Sequence, residues 1–534
     1  MMSRHATSAH RAASPSAGAA GSGAPGFGPR LAAGLLGVLL AAIVAGLNNR
    51  VPGLVLADVQ GALGFARDDA SWLTTAYAAG ELAAMPFAMW FAITFSMRRF
   101  QLAMLGTALV LSVLIPFVQD LHLLVALRAI QGLCSGAMIP ILMGAALAFL
   151  PPPIRLHGLA LYALTSTFTP NVALWLAAAW VDGLEDWRWA YWHVIPLGLA
   201  AIALVAWGLP KSPPVLKRLA NGNWLGMALG IPGLALLVVG IDQGVRLNWF
   251  YSPLITASLL LGGVLTTLFL ASEWRHPAPF IRLQLLERRN LGLGFTVFVL
   301  LLLIAGTAVS LPITALAQLQ GFRLAQSSTI GLWVGLPQIV LGSCVALLLY
   351  KKWVDARQIF ALGLACIAAG CWFGSAITSE WSVAQFASAE MLHAVGQPMA
   401  IVSLLFLATS VVQPSEGAYV AGIVNTLRTF GSVLGSAVIG QLMVIRGHFH
   451  GEILLDRAGR LMARLPNPES QLTSLAETVA QQSTVLAAAD VYRVFGLLAL
   501  LLVPAVLKLR HVAAPSRAHE RAAKPTTTSV GATS

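Results

Sequence analysis

The sequence carries very little charge for its length. Of its 534 residues, only 10% are Asp, Glu, Lys or Arg, and 57% are hydrophobic. Soluble domains carry about 25% charged residues, which they need to cover their surface. This composition excludes a water-soluble globular protein and predicts a chain whose main solvent is lipid.

The chain is also poor in cysteine and lacks the common enzyme motifs. Its four cysteines, Cys134, Cys344, Cys366 and Cys371, lie in apolar runs without paired spacing, so we predict no disulfide and no metal site. There is no GxxxxGK[ST] loop, no HExxH and no GxSxG between a strand and a helix. These absences predict a protein that is not an enzyme and that needs no cofactor.

The net charge of +12 comes from lysines and arginines in short clusters between apolar runs. A nucleic-acid-binding protein would instead gather them into a long basic stripe. Basic clusters of this kind are typical of the cytoplasmic ends of membrane helices, so we predict no nucleic-acid partner.

What the sequence has in abundance is long apolar runs. A helix needs about 20 apolar residues to cross the hydrocarbon core, and fourteen runs come close to that length. They are continuous rather than alternating, which favours helices over a membrane β-barrel. The first run is broken by Pro52-Gly53, which predicts either a kinked helix or a helix that ends near Asn49. The predicted spans are 31–57, 72–91, 101–119, 124–149, 158–180, 189–209, 223–241, 253–271, 291–315, 328–350, 358–377, 382–410, 418–442 and 489–508.

Lysine and arginine counts predict the orientation of these spans. With a cytoplasmic N-terminus, the cytoplasmic segments carry 21 such residues and the short outer loops carry five. Positive loops stay inside, so both termini are predicted to be cytoplasmic, as an even number of spans requires.

Basic segments near 211–218 and 273–290 divide the chain. We predict two six-helix bundles with two extra helices inserted between them, an arrangement that transporters built from repeated halves often show. The predicted parts are a disordered cytoplasmic tail (1–30), an N-terminal six-helix bundle (31–209), an inserted helix pair with basic linkers (210–290), a C-terminal six-helix bundle (291–510) and a second disordered tail (511–534).

Segment 446–488 is the one long polar stretch between these tails, and it lies outside in this orientation. Leu454, Ala458, Leu461 and Leu465 recur at helical spacing, Pro466 and Pro468 break the pattern, and a second helical stretch is predicted near 470–488. The simpler interpretation is a connector hairpin on the outer surface. The alternative is a docking surface for a periplasmic partner.

Several short motifs resemble those of one family. Pro170 and Trp175 preserve part of a motif in span 5. The others are RAIQGLCSGA at 128–137, DWRWAYWHVIPLG at 186–198, IDQGVRLNWFYS at 241–252 and NTLRTFGSVLGSA at 425–437. Their order and spacing over residues 31–510 are similar to those of the major facilitator superfamily, in particular the 14-span drug:proton antiporters of the EmrB/QacA type. The long outer segment resembles the EmrB-like branch of Gram-negative bacteria.

The sequence also departs from this family pattern at three places. Ile93 stands where the motif between spans 2 and 3 has an Asp, and only Arg98 and Arg99 remain of that motif. The span-1 position that usually holds an Asp matches Asn48. The paired glycines of span 5 are replaced by Ala173 and Leu174.

Ionisable groups inside membrane helices are the first candidates for proton coupling, because burying them without a role is costly. Glu81 is the only acid of span 2, and we predict that it carries the proton, with Arg50 as its counter-charge. A static ion pair that fixes two helices is the simpler alternative. Glu390 and His393 share one face of span 12 and predict a proton relay or, alternatively, a hydrogen-bonded core pair.

Other intramembrane polar residues are candidates for lining the cavity or gating it. Arg128 and Gln131 share a face of span 4. Arg128 either faces a cavity or locks neighbouring helices through their backbone carbonyls. The remaining candidates are Asn48, Pro170, Gln397, Asn425 and Arg428.

The resemblance implies a proton-coupled exporter of lipophilic or amphipathic compounds in the bacterial inner membrane. It further implies a periplasmic adaptor protein and an outer-membrane channel as partners. Two alternatives stay open. One is a transporter dedicated to one metabolite, such as a siderophore or an organic acid. The other is a sensor or scaffold that keeps the fold without transporting.

Overall fold

The computed structural model describes residues 27–462 and 472–513, and all regular secondary structure within them is helical. This part of the chain contains eighteen α-helices, joined by short turns. The helices are α1 (Pro29–Leu54), α2 (Leu56–Leu63), α3 (Arg67–Phe95), α4 (Met97–Leu114), α5 (Leu121–Phe149), α6 (Pro152–Leu184), α7 (Trp189–Trp192), α8 (Val194–Gly208), α9 (Trp224–Gly244), α10 (Pro253–Arg275), α11 (Arg289–Ala305), α12 (Ser310–Gln320), α13 (Leu324–Ser327), α14 (Thr329–Leu349), α15 (Ala356–Gly374), α16 (Ala387–Thr409), α17 (Gly417–Met462) and α18 (Leu472–Leu507).

The predicted all-helical membrane fold is confirmed. Thirteen segments of the described chain are long and apolar enough to cross a membrane. The fifth predicted span, 158–180, falls within α6, whose 33 residues make it about 50 Å long and therefore long enough to cross as well. Two predicted spans are interrupted, because α7 and α8 share the sixth and α11 and α12 share the ninth.

The first predicted span contains a helix that continues past its proline. α1 runs through Pro52 to Leu54, and the short helix α2 begins two residues later. The helix therefore does not end near Asn49. As a result, Asn49 and Arg50 project from regular helix in its second half.

The helices pack in two groups with a pair between them. One group comprises α1 and α3–α8, and the other comprises α11–α18. The groups meet where α6 packs on α14 and where α3 packs on α17. The inserted helix α9 contacts both α3 and α17, while α10 packs mainly on α9. The inserted pair therefore touches both groups at one of their junctions.

Several loop contacts identify the face of the bundle that carries the chain ends. At the start of α1, Arg30 Nε donates to the carbonyl of Trp207 (2.9 Å), next to the end of α8. At the end of α18, the carbonyl of Leu509 accepts from Arg357 Nη1 (3.1 Å). We call this side the termini face and the opposite side the far face.

An ion pair on the termini face joins the linker before α11 to the start of α17. Arg288 Nη2 lies 2.7 Å from Glu416 Oε1, and its Nη1 donates to Glu416 Oε2 (2.7 Å). These hydrogen bonds hold the pKa of Glu416 below its usual value. At neutral pH the pair therefore ties the start of α11 to the start of α17.

The longest helices form a hairpin that extends on the far face. α17 is unbroken for 46 residues, and α18 for 36. Asp490 of α18 accepts from Arg446 Nε and from His450 Nε2 of α17, each at 2.7 Å. The predicted breaks at Pro466 and Pro468 lie outside the described residues, as do most of the two predicted tails.

Candidate functional site

A cavity of about 270 Å³ lies between the two helix groups. Four charged side chains line it: Arg50 of α1, Glu81 of α3, Asp242 of α9 and Arg428 of α17. Apolar side chains, Leu54 among them, form the rest of the wall together with hydroxyl groups. The hydroxyl groups come from Thr74, Thr165, Ser166, Thr169, Thr429, Ser432 and Ser436.

A second chamber of about 240 Å³ adjoins this cavity. The two share the wall formed by Arg50, Ser166 and Pro170, and the second chamber reaches Gln397 of α16. Gln397 Oε1 accepts from Gln338 Nε2 of α14 (2.9 Å), which fixes the amide at the chamber edge. Ionic and amide groups from α1, α3, α9, α16 and α17 thus line two adjoining chambers.

Glu81 is held in the middle of α3 with only 4% of its surface exposed. Asn49 Nδ2 donates to Glu81 Oε2 (2.5 Å), and Thr429 Oγ1 donates to Oε1 (3.5 Å). Behind it, α5 approaches so closely that a Cβ on Gly136 would clash with the Glu81 carbonyl oxygen. The carboxylate is therefore placed by contacts from both helix groups and by tight backbone packing.

The predicted ion pair between Glu81 and Arg50 is not a direct contact. Both side chains line the cavity, but the Glu81 oxygens accept from Asn49 and Thr429 instead. Arg50 of the first group and Arg428 of the second group line the same cavity, and neither lies within ion-pair distance of Glu81. The direct contacts of the Glu81 carboxylate are therefore hydrogen bonds, one from each helix group.

Arg428 and Asn425 bridge α17 to α6. Arg428 Nη1 donates to Ser166 Oγ (2.8 Å) and to Thr165 Oγ1 (3.3 Å). Asn425 is fully buried, and its Oδ1 accepts from the hydroxyl of Tyr162 (2.9 Å). Both predicted residues of span 13 therefore lie at the interface between the groups, with Arg428 on the cavity and Asn425 in the packed part.

Arg128, Gln131 and Asn48 lie elsewhere, in a buried network inside the first group. All three are fully buried, and none lines the cavity. Arg128 Nη1 donates to Gln131 Oε1 (2.6 Å) and to the carbonyl of Asn48 (3.3 Å), and its guanidinium lies 4.3 Å from the centre of the Tyr77 ring. These contacts are those of the alternative interpretation, in which Arg128 holds neighbouring helices together. The residue of α1 that contacts Glu81 is Asn49, and not its neighbour Asn48.

Glu390 and His393 lie inside the second group. Both are buried, and neither has a hydrogen-bond partner among the described residues, so they do not bond to each other. His393 lines a small chamber of about 30 Å³ together with Gln397. Gln397 also lines the second chamber, so it lies between the His393 chamber and that larger space.

Asp242 is the functional candidate that sequence reasoning missed. It follows directly after the predicted span 223–241, so it was assigned to a loop, whereas α9 continues to Gly244. A useful signal was present: Asp242 is the only acid in the segment that forms α9. Within the described residues, no group of three His, Cys, Asp or Glu side chains is placed to hold a metal ion.

The sequence is similar to those of known transporters. Residues 38–436 match the family model of the Major Facilitator Superfamily. The fatty acid resistance protein FarB of Neisseria gonorrhoeae is 22% identical over 90% of this chain and 96% of its own length. The colistin resistance protein EmrB of Acinetobacter baumannii is 23% identical, over 74% of this chain and 77% of its own. The multidrug export protein EmrB of Escherichia coli K12 is 22% identical, over 85% and 88%.

Solved structures show the same fold at low identity. The human organic anion transporter MFSD10 superimposes with a TM-score of 0.55 at 13% identity, and the match covers 89% of this chain and 100% of that one. The proton:xylose symporter XylE gives a TM-score of 0.52 at 13% identity over 91% and 97%. Both are major facilitator structures, and at this identity the likeness concerns the fold alone.

Proposed function

The chain belongs to the Major Facilitator Superfamily, and we propose that it exports lipophilic or amphipathic compounds in exchange for protons. It is a multi-pass membrane transporter and not an enzyme. The observation that carries the proposal is the Glu81 carboxylate, which lines a cavity between the helix groups and contacts both of them. Proton exchange requires an ionisable group in such a position.

Protonation of Glu81 would act on the contacts between the groups. Ionised Glu81 accepts a hydrogen bond from Thr429 and shares the cavity with the positive charge of Arg428, and both residues belong to α17 of the opposite group. A protonated carboxyl loses the charge attraction and so weakens this link. Binding and release of the proton would thereby bias the groups between two arrangements, which is what alternating access requires.

Export is the direction that the relatives favour. The three relatives described above are named for resistance to fatty acids, resistance to colistin and multidrug export. The compounds in those names are amphipathic or chemically diverse. A cavity that combines four charged groups with apolar walls fits ligands of this kind.

We further propose the inner membrane as the location, with the termini face in the cytoplasm. The support is the excess of lysine and arginine on the loops of that face. On the far face, the α17–α18 hairpin would reach into the periplasm. It is the surface we propose for an adaptor protein that leads to an outer-membrane channel.

Glu390 and His393 are proposed as a second proton position. Buried ionisable groups without hydrogen-bond partners are unstable unless they are neutral, so they hold a proton or give it up as their surroundings change. The chamber shared by His393 and Gln397 offers a route for water from the central space. Glu81 remains the first carrier because it contacts both helix groups.

The test is proton-driven transport in proteoliposomes. The full-length protein is expected to move a lipophilic fluorescent dye when a pH gradient is imposed, and an uncoupler is expected to stop it. Glu81→Gln should abolish gradient-driven movement, because the amide cannot exchange a proton. Glu287→Gln, the same change at an exposed position of the termini face, should transport like the unmodified protein.

Two outcomes would contradict this proposal. Full gradient-driven transport by Glu81→Gln would remove Glu81 as the proton carrier. An unmodified protein that moves no dye and no proton would favour the dedicated transporter or the scaffold.

A further inference from the structure

We propose that an apolar pocket beside the termini face binds one acyl chain of an anionic phospholipid, whose phosphate is held by Arg155 and His157. The pocket has a volume of about 260 Å³ and lies between α1, α5 and α6. It shares no lining residue with the central cavity. The ligand is a membrane lipid and not the transported compound, so the site does not depend on the proposed export function.

The wall of this pocket, which we call the lateral pocket, is apolar and open towards the bilayer. His157 is the only described lining residue with a polar side chain. Leu36 of α1 and Leu161 of α6 are 47% and 42% exposed, so the pocket opens sideways, where lipid surrounds the helices. The other lining residues include Leu35 and Leu39 of α1, Leu142 and Ala146 of α5, and Gly158 of α6.

The depth of the lateral pocket corresponds to one lipid leaflet. Its lining residues extend over 32–39 at the start of α1 and over 142–150 at the end of α5. At 1.5 Å per residue, these segments are about 10 and 12 Å long. One leaflet contributes about 15 Å of hydrocarbon. Both segments end at the termini face, so an acyl chain that lies in the pocket has its headgroup at that face.

Two side chains at the mouth of the pocket have nitrogen donors available for a phosphate. Arg155 Nε donates to the carbonyl of Leu150 (3.3 Å), a lining residue, which places the guanidinium beside the pocket. Neither its Nη groups nor the ring nitrogens of His157 have a hydrogen-bond partner within the described chain. The His157 ring lies 5.5 Å from the ring of Tyr350, directly after α14. The mouth therefore adjoins the junction of the two helix groups.

The charge around the mouth favours an anion. α1 and α5 contain no acidic residue, and the only one in α6 is Asp182, near its far-face end. Lys351 and Lys352 follow Tyr350 in the sequence and add positive charge on the termini face. A membrane surrounds the pocket with acyl chains of every lipid, which are as apolar as its wall. Selection between lipids must therefore come from the headgroup, and one arginine near the membrane surface favours an anionic lipid about fivefold.

Two lipids with the same acyl chains and different charge test this assignment. Dioleoylphosphatidylglycerol is anionic and dioleoylphosphatidylcholine is zwitterionic. Their binding to the purified full-length protein in detergent is compared by native mass spectrometry. The unmodified protein should bind the anionic lipid at one site about fivefold or more in preference to the zwitterionic one. Arg155→Gln should lower this preference about fivefold. Arg99→Gln, the same change at an exposed position of the termini face, should leave the preference unchanged.

A second pair of variants tests the pocket itself. Ala32 lines the wall on α1, so the ring introduced by Ala32→Phe would fill the space for the acyl chain. This variant should lose the preferred site for dioleoylphosphatidylglycerol. Ala103→Phe adds the same ring at an exposed position of α4 and should retain the site. Thermal unfolding of each variant checks that the fold persists, and if Ala32→Phe does not fold, the two arginine variants still decide the assignment.

Several results would overturn the proposal. Equal lipid preference in Arg155→Gln and Arg99→Gln would exclude headgroup recognition by Arg155. Equal binding by the two phenylalanine variants would exclude the lateral pocket as the place of the acyl chain. Glycerol 3-phosphate that displaced the lipid would indicate a site for free phosphates, and oleate that displaced it at equal concentration would indicate a fatty-acid site.

The same measurement separates this proposal from the proposed function. Lipid binding is measured without a gradient and without transport. A protein that binds the anionic lipid through Arg155 but moves no dye in proteoliposomes would contradict only the export proposal.

Discussion

At the residue scale, the central cavity has two positive and two negative side chains, and its two carboxylates accept hydrogen bonds from different helices. Glu81 accepts hydrogen bonds from Asn49 and Thr429, one from each helix group, whereas Asp242 accepts a hydrogen bond from Thr75 of α3. Glu81 therefore connects the two groups, and Asp242 connects α9 to the first group.

Arg128 gives a prediction about stability at this scale. Arg128→Lys should lower the unfolding temperature of the purified protein, because lysine cannot keep the bond to Gln131 and the contact with the Tyr77 ring together. Losing a hydrogen bond that involves a charge costs about 2 kcal/mol. Ligand binding should stay within a few-fold, since Arg128 does not line the cavity.

The measurements are thermal unfolding and equilibrium ligand binding on the same preparation. Gln131→Glu is a useful companion, because it keeps an oxygen acceptor for Arg128 at the same position. If Arg128→Lys unfolded at the original temperature but bound ligand poorly, Arg128 would belong to the transport machinery instead.

Sequence reasoning identified three of the four charged residues that line the cavity, and Pro170 with them, but not which face each residue occupies. Glu81, Arg50, Pro170 and Arg428 all line the cavity, as expected for polar or helix-distorting residues inside membrane spans. Asn48 and Asn49 are adjacent, and only the rotation of α1 decides which one meets Glu81. The rotation of α1 depends on its packing against several other helices, and that packing cannot be predicted from a single sequence.

At the element scale, the contact between α3 and α5 sets the position of Glu81. Gly132 and Gly136 of α5 face the carbonyl oxygens of Tyr77 and Glu81. Small residues at this spacing let two membrane helices approach closely. The GxxxG spacing at 132–136 is thus part of how the carboxylate is aimed at the cavity.

Gly136→Ala should therefore disturb both stability and transport. The added methyl group would overlap the Glu81 carbonyl oxygen, and overpacking of this kind costs about 1–3 kcal/mol. We expect a lower unfolding temperature and reduced proton-coupled dye transport.

Gly106→Ala is the matched control, because a methyl group on that glycine of α4 would meet nothing within 4 Å. It should unfold and transport like the unmodified protein. If the two alanine variants behaved alike, the contact between α3 and α5 would have room for a methyl group at Gly136, which would contradict the prediction.

The membrane helices were predictable because hydropathy reports them directly, and each predicted span falls on helical structure. α17 continues 20 residues beyond its predicted span, from 442 to Met462, and includes Leu454, Ala458 and Leu461, whose helical spacing predicted helix there. The sequence did not show that this polar stretch is continuous with the span, because no apolar run marks it. The division between α11 and α12 was missed for the opposite reason, since the apolar run continues across it.

At the scale of the whole molecule, the inserted pair is more than a spacer between two bundles. α9 packs on α3 and α17, and Trp249, just beyond it, donates through Nε1 to Gln441 Oε1 of α17 (2.6 Å). One helix therefore touches both α3, which carries Glu81, and α17, which carries Arg428. Any relative movement of the two groups must also displace α9 or slide against it.

The proposed orientation gives a prediction for the whole chain. In a variant without its four native cysteines, Thr478→Cys on the far face should react with a membrane-impermeant maleimide in intact spheroplasts. Arg99→Cys on the termini face should react only after permeabilisation, because basic loops remain in the cytoplasm. Labelling of both positions before permeabilisation, or of Arg99→Cys alone, would contradict the orientation.

The unbroken course of α17 has a mechanical consequence. Arg428 and Met462, the last residue of α17, lie on one unbroken helix, about 50 Å apart along its axis. A tilt of 10° about Arg428 would move Met462 sideways by roughly 9 Å at this length. A small rotation of α17 at the cavity would therefore produce a much larger displacement at the far end of the helix.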